Sequence, residues 1–206
     1  MYQLEALTAP ELQQLINDGV STVVTPFGSI EHQGGHLPIG ADAVLADAVG
    51  AEVAQRLGAV LAPTLRVGCS EQHVRLPGTL TLSTPTLTVV AAELAAGLVR
   101  QGFRVVVLLS TNGGNDAAMA AAVAQLGASP SPAVVCAPHG DVGPNAGSHS
   151  GVWLTSVMLA LRPDLVRLED ADADLVTELA GADAERGRAH IQRFVASIVA
   201  SVQQRV

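Results

Sequence analysis

The chain has 206 residues, 49% hydrophobic, 15% charged and 2% aromatic, with 20 Gly and 11 Pro. This composition excludes a disordered chain and leaves ample material for a buried core. A net charge of −8, from 11 basic and 19 acidic residues, together with scarce stacking aromatics, argues against nucleic-acid binding.

The cysteines, Cys69 and Cys136, have no CxxC spacing, which excludes a disulfide framework and suits a reducing compartment. The opening Met1-Tyr2-Gln3-Leu4-Glu5 carries no leader pattern. The longest apolar stretch, near residue 88, is broken by Glu93 and Arg100, so no membrane span is expected. The expectation is a cytoplasmic protein.

Thr8-Ala9-Pro10-Glu11 reads as a capping box opening a helix through Leu12, Leu15 and Ile16, which Gly19 stops. Thr22 to Thr25 is a β-branched strand ending at Pro26. After a Gly- and His-rich segment, Asp42 to Leu57 has helical spacing. Ala59 to Ala62 is a second strand, and Thr84-Pro85 reads as an N-cap with proline at the first helical position, opening a helix to about Gln101. Arg104 to Leu109 is a continuous apolar run, as in a strand buried on both faces. A helix over Asp116–Leu126, a strand over Ala133–Cys136, a helix around Trp153–Leu161 and a last amphipathic helix over Asp183–Val202 complete the chain.

Strands alternating with helices predict an α/β fold: a mostly parallel sheet covered on both faces by right-handed crossovers. No linker or repeat divides the sequence, so residues 1–206 are expected to form one domain. In such sheets ligands bind beyond the carboxyl ends of the strands. Five of the six histidines, His32, His36, His73, His139 and His149, fall in loops that follow predicted strands. That clustering marks a candidate site.

Four loops carry the chemistry. The first runs from Gly28 through Glu31, His32, Gln33, His36 and Pro38 to Asp42. Two carboxylates and two imidazoles on a Gly-rich backbone suit a divalent metal such as zinc, iron or manganese. The competing reading is a polar surface loop whose Asp42 caps the next helix. In the second loop, Cys69-Ser70-Glu71-Gln72-His73, His73 is a candidate base, while Cys69 reads better as a buried thiol than as a nucleophile.

The third loop, Ser110-Thr111-Asn112-Gly113-Gly114-Asn115, places backbone N–H groups at a helix start, as for an anion or oxyanion; the alternative is a tight turn. It has no GxxxxGK[ST] pattern, so no nucleotide cofactor is expected. The fourth loop holds His139, Asp141 and His149 before Trp153, which is placed either over a small substrate or in the core. His139 and Asp141 read as solvated, and His190, between Arg188 and Arg193, as a surface residue.

Together these loops resemble the creatininase (creatinine amidohydrolase) family. The first is similar to G-S-x-E-Q-H-G-P-H-L-P-x-x-x-D and the second to S-x-E-H-x-x-F-P-G-T-L-S-L. The third is similar to N-G-H-G-G-N and the fourth to H-A-G-x-x-E-T-S, in order over Val23 to Arg167. Gly181 to Arg188 resembles the family's closing G-x-x-A-x-x-G-R helix. The resemblance implies a three-layer αβα domain, a homo-oligomer and a two-metal site that hydrolyses C–N bonds of cyclic or short amides. It puts Glu31 and Asp42 on metal-ligand positions, with Asp42 bridging, and matches His36, His73 and His149 to pocket histidines.

This sequence departs from the family at several ligand positions. Gln33 and Asn112 stand where the family has ligand histidines, Val152 and Leu154 where it has acidic residues, and Gln72 replaces the glutamate before His73. Transition-metal sites usually need such nitrogen ligands. The expectation is therefore a metal-poor or metal-free site acting on a small amide, lactam or related C–N carbonyl compound. Its catalytic candidates are Glu31, His36, His73, Asn112 and His149, its substrate contacts His32, Gln33, Asn115 and Trp153, and its weak or absent metal ligands Glu31 and Asp42. The alternative is a non-catalytic relative that binds a small ligand or a partner subunit.

Overall fold

The structure is a computed structural model that describes residues 1–127, 133–137 and 148–204. His139 and Asp141 lie outside the described residues. The elements run in the order β1 (Tyr2–Gln3), α1 (Ala9–Asn17), β2 (Thr22–Phe27), α2 (Ala41–Leu57), β3 (Val60–Leu61) and α3 (Thr84–Arg100). They continue with β4 (Val105–Ser110), α4 (Asp116–Leu126), β5 (Ala133–Ala137), α5 (Val152–Leu161), α6 (Val176–Leu179) and α7 (Ala184–Gln203). Short 3-10 turns connect several of them.

The five strands pair in parallel in the order β1-β3-β2-β4-β5, with Val23 opposite Val106 and Phe27 opposite Ser110. The apolar run of β4 is buried on both faces, and its alternation sorts the core into two layers. Val105, Val107 and Leu109 pack with α2, α5 and α7, while Val106 and Leu108 pack with α3 and α4. This is the αβα sandwich expected of covered parallel strands.

Local sequence rules explain most boundaries and a few differences. The Thr8–Glu11 capping box forms as expected. The strand β2 continues through Pro26 to Phe27 instead of stopping at the proline. The Pro26 carbonyl accepts from the Leu65 N–H at 2.9 Å. Its donor-less nitrogen therefore faces the side where β3 has already ended, and no ladder bond is lost.

Ser83, not Thr84, caps α3, its Oγ accepting from the Thr86 N–H. Neither the two-residue β1 nor the single turn of α6 carries enough periodicity to be read from sequence.

Helices α5 and α7 pack extensively against each other, and Gly187 permits it: a Cβ there meets the Ser156 carbonyl oxygen at 1.9 Å. Gly187→Ala should destabilise the protein by about 1–3 kcal/mol through overpacking, despite alanine's better helix propensity. A lowered urea midpoint checks this; an unchanged or raised midpoint contradicts it.

Chain topology opens a crevice at the middle of the sheet. After β2 the chain turns to the face covered by α2, whereas after β4 it turns to the face covered by α4. Loops leaving these adjacent strands on opposite faces form a topological switch point, where α/β sheets bind ligands.

Candidate functional site

At this crevice lies a cavity of about 160 Å³ lined by Glu31, Gln33, Asp42, Thr111, Asn112, Gly113, Ser148, His149, Ser150, Trp153 and Leu154. The loop after β2 supplies Glu31 and Gln33, the first turn of α2 supplies Asp42, and the loop after β4 supplies Asn112. The segment before α5 supplies His149 and Ser150. A larger surface concavity lies beside Asp47 and Arg66, but those two charges are exposed and paired with each other. The small volume suits one amide or lactam group better than a drug-sized ligand.

The carboxylates Glu31 and Asp42 are 2% and 5% exposed, and protein N–H and O–H donors surround them. Gln33 Nε2 donates to Glu31 Oε1 at 3.2 Å and to Asp42 Oδ2 at 2.9 Å. Asn112 Nδ2 donates to Glu31 Oε2 at 2.9 Å and lies 3.4 Å from Asp42 Oδ2 and 3.1 Å from Ser29 Oγ. Ser29 Oγ donates to Asp42 Oδ2 at 2.7 Å. Each carboxamide thus spans both carboxylates.

The carboxamide oxygens face away from the pair. Gln33 Oε1 accepts from Ser150 Oγ at 2.7 Å, and Asn112 Oδ1 accepts from the Gly114 N–H at 2.7 Å. A carboxylate only accepts and a backbone N–H only donates, so these contacts fix both amide orientations. They also engage the Asn112 and Gly114 donors that the sequence offered for an oxyanion.

Asp42 does not cap α2. Gly40 holds the N-cap position, and the Asp42 side chain turns into the site. Burial, with the charge of Glu31 beside it, pushes the Asp42 carboxyl up to about 7 against the hydrogen bonds from Ser29, Asn112 and Gln33.

At the cavity mouth the His149 ring stacks on His73, with centroids 4.1 Å apart. His149 Nε2 donates to the His32 carbonyl at 2.7 Å, while Nδ1 lies 3.7 Å from Glu31 Oε1. Burial lowers the pKa of His73, and neighbouring His149 lowers it further. Glu31, His73 and His149 bring three ligand-type atoms within 4.8 Å of one another.

The remaining sequence candidates divide between cavity and framework. Trp153 lines the cavity, and its ring packs against His190, which is half-buried and not a free surface residue as expected. The cause is the close approach of α7 to α5. His32 contributes its backbone, donating its N–H to Thr79 Oγ1 at 3.0 Å and accepting from His149.

His36 is completely buried and does not line the cavity. Its Nε2–H donates to the Ser150 carbonyl at 3.0 Å, near Thr155 Oγ1 at 3.1 Å, and burial lowers its pKa. Asn115, also buried, ties three loops, accepting from the Cys69 N–H at 2.8 Å and donating to the Gly28 carbonyl at 3.0 Å. Gly114 completes this tie, because a Cβ there meets the Cys69 carbonyl oxygen at 1.9 Å. Cys69 is buried, which pushes its thiol pKa up.

Sequence reading assigned no role to Ser29, Ser150 or Glu178. Ser150 holds a left-handed backbone, φ 57°, where a non-glycine residue is strained. It is fixed there by His36 and Gln33. Glu178 anchors the segment carrying His149, accepting from Ser148 Oγ and from the Val152 N–H at 2.9 Å. Those hydrogen bonds hold the Glu178 carboxyl below the usual range. Ser29 sits inside the first loop's motif, but nothing in the local sequence points to Glu178.

Comparison with known proteins places this geometry. The family model for creatininase, creatinine amidohydrolase, matches residues 5–200. A mycofactocin precursor peptide peptidase of Mycolicibacterium smegmatis is 35% identical over 159 residues, covering 73% of this chain and 62% of that protein. The chain therefore spans less than two-thirds of that relative's length. A creatinine amidohydrolase of Pseudomonas putida is 30% identical over 190 residues, covering 79% of this chain and 73% of its own.

Among solved structures, a mutant creatininase matches with a TM-score of 0.84 at 26% identity, over 98% of this chain and 97% of that one. Two others, a creatininase described as Mn and a mutant of Zn-Zn type, match with TM-scores of 0.83 at 25% and 26% identity. Each match covers 98% of this chain and 97% of theirs. With a family match running over nearly its whole length and a backbone that follows solved creatininases, this chain belongs to the creatininase family.

Proposed function

We propose that the protein is a creatininase-type hydrolase of a small amide, lactam or related C–N carbonyl compound. In this reading, Glu31 and Asp42, which the resemblance puts on metal-ligand positions, are held by carboxamides instead. The observation that carries it is the pair of NH₂ groups, of Gln33 and Asn112, that each span both carboxylates at the cavity. Both named relatives are amide-bond hydrolases by their names, an amidohydrolase and a peptidase.

A divalent metal between Glu31 and Asp42 does not fit this arrangement. It needs lone pairs, whereas the nitrogens of Gln33 and Asn112 present N–H donors, and their oxygens are turned to Ser150 and Gly114. Neutral donors there offset the repulsion of two buried carboxylates, as cations do in a metal centre.

Asp42 is the proton-transferring group in this reading. A water adds to the substrate carbonyl carbon while its proton passes to the Asp42 carboxylate. The same proton is then delivered to the leaving nitrogen as the C–N bond breaks. Trp153 and Leu154 form the apolar wall over the substrate, and His149 faces it at the mouth. His36 and Asn115 act by positioning Ser150 and the loop backbones. One domain over residues 1–206, a cytoplasmic location and a homo-oligomeric assembly accompany the proposal. Among the described residues, no helix is long and apolar enough to cross a membrane.

The test is a panel of small amides, lactams and cyclic ureas, assayed for amine or carboxylate release with and without chelator. Turnover that survives removal of metal but is lost with the Asp42 carboxyl is expected. Saturable binding of panel compounds without turnover would favour the alternative, a ligand-binding relative whose carboxylates are permanently closed by carboxamides.

A further inference from the structure

We infer that Glu31, His73 and His149 form a mononuclear divalent-metal site at the mouth of the cavity, displaced from the Glu31–Asp42 position. The inference rests on the reading above only for the closure of that pair. Two imidazoles and one carboxylate are a common donor set for zinc, iron or manganese, leaving open positions for water or a substrate oxygen.

The distances fit such an ion. Three atoms within 4.8 Å of one another leave a point no more than about 2.8 Å from each. A shift of about 0.7 Å by each ligand then reaches the 2.0–2.2 Å expected for zinc with imidazole and carboxylate. His73 and His149 are on loop and helix-entry segments near the surface, half-buried and exposed respectively, where shifts of that size need no core repacking.

The tautomer of His149 is set for a ligand. Its Nε2–H donates to the His32 carbonyl, an acceptor only, so in the neutral ring Nδ1 carries the lone pair. That lone pair sits 3.7 Å from an oxygen of Glu31, two electron-rich atoms that a cation between them reconciles. Metal-binding histidines commonly fix their free ring N–H on a carbonyl in this way. Asn112 on the second oxygen of Glu31 and Gln33 on the first keep the carboxylate oriented, and the first oxygen retains another lone pair for the ion. Glu178 holds the His149 segment in place through Ser148 and Val152.

The test uses full-length protein stripped with chelator and titrated with Zn²⁺ by calorimetry and with Co²⁺ by visible spectroscopy. One equivalent is expected, with a cobalt spectrum typical of nitrogen–oxygen ligation at low coordination number. His73→Ala and His149→Ala should each weaken zinc binding at least about tenfold, as even outer-shell changes do this. Asp42→Asn should leave it within about threefold. Thermal melts of the two histidine variants separate ligand loss from unfolding, and His73→Gln provides a second, near-isosteric variant.

Absence of binding overturns the inference, as does binding that is indifferent to both histidines or abolished by Asp42→Asn. Failure here with chelator-resistant turnover intact leaves the hydrolase proposal standing, so the two fail separately.

Discussion

Replacing Asp42 with asparagine should lower turnover by about 10²–10⁴-fold, the usual contribution of a positioned proton-transfer group, while making the chelator-treated protein more stable at alkaline pH. Asparagine keeps an oxygen to accept from Ser29, Gln33 and Asn112 but cannot take a proton from water. The stability change has a defined sign. An unfolded aspartate titrates at about 3.9, whereas burial and Glu31 push the folded carboxyl up to about 7.

Between those values the folded state holds more protons than the unfolded state, so stability falls as pH rises and levels off above about 7. The cost removed by Asp42→Asn is on the order of a few kcal/mol at pH 8 and much smaller near pH 4. Melting curves of both proteins from pH 4 to pH 8 read it directly. A gap that widens with pH is expected; a constant gap, or an asparagine variant less stable at pH 8, contradicts the assignment.

The second large effect is a gain. Gln33→His combined with Asn112→His places imidazole nitrogens where the carboxamide donors now span the carboxylates. Each substitution exchanges an N–H donor for an imidazole nitrogen lone pair beside Glu31 and Asp42. Outer-shell partners alone move metal affinity by about 10–100-fold, and a direct ligand exchange should do at least as much. Zinc titration should therefore show a new, tighter equivalent in the double variant that Asp42→Asn removes. If affinity and stoichiometry stay as in the parent protein, then backbone geometry, not the two carboxamides, excludes the ion.

The architecture was largely legible because its signals are local. The capping box at Thr8 and the unbroken apolar run before Ser110 each announce an element that forms. The convergence of Glu31, Asp42, Asn112 and His149 follows from strand-end topology, which the alternation of elements already implied.

What the sequence concealed is orientation. Nothing in G-S-I-E-H-Q-G-G-H says that His36 turns inward to Ser150, or that Gln33 turns to the carboxylates rather than to a substrate. Adjacent loop residues point in different directions, so His32 takes part through its carbonyl while its neighbours take part through side chains. Glu178 lies beyond any local pattern, because its role depends on α6 packing back over the start of α5. Pro26 shows the reverse case, in which a strong local breaker is accepted because the neighbouring strand ends before reaching it.

The most direct test is a zinc-soaked crystal of the protein examined by anomalous scattering at the zinc edge. No peak is expected between Glu31 and Asp42, with Gln33 and Asn112 still bridging them, and a single peak is expected among Glu31, His73 and His149. Two peaks about 3.5–4 Å apart, with Asp42 between them and the carboxamides swung away, would contradict both expectations.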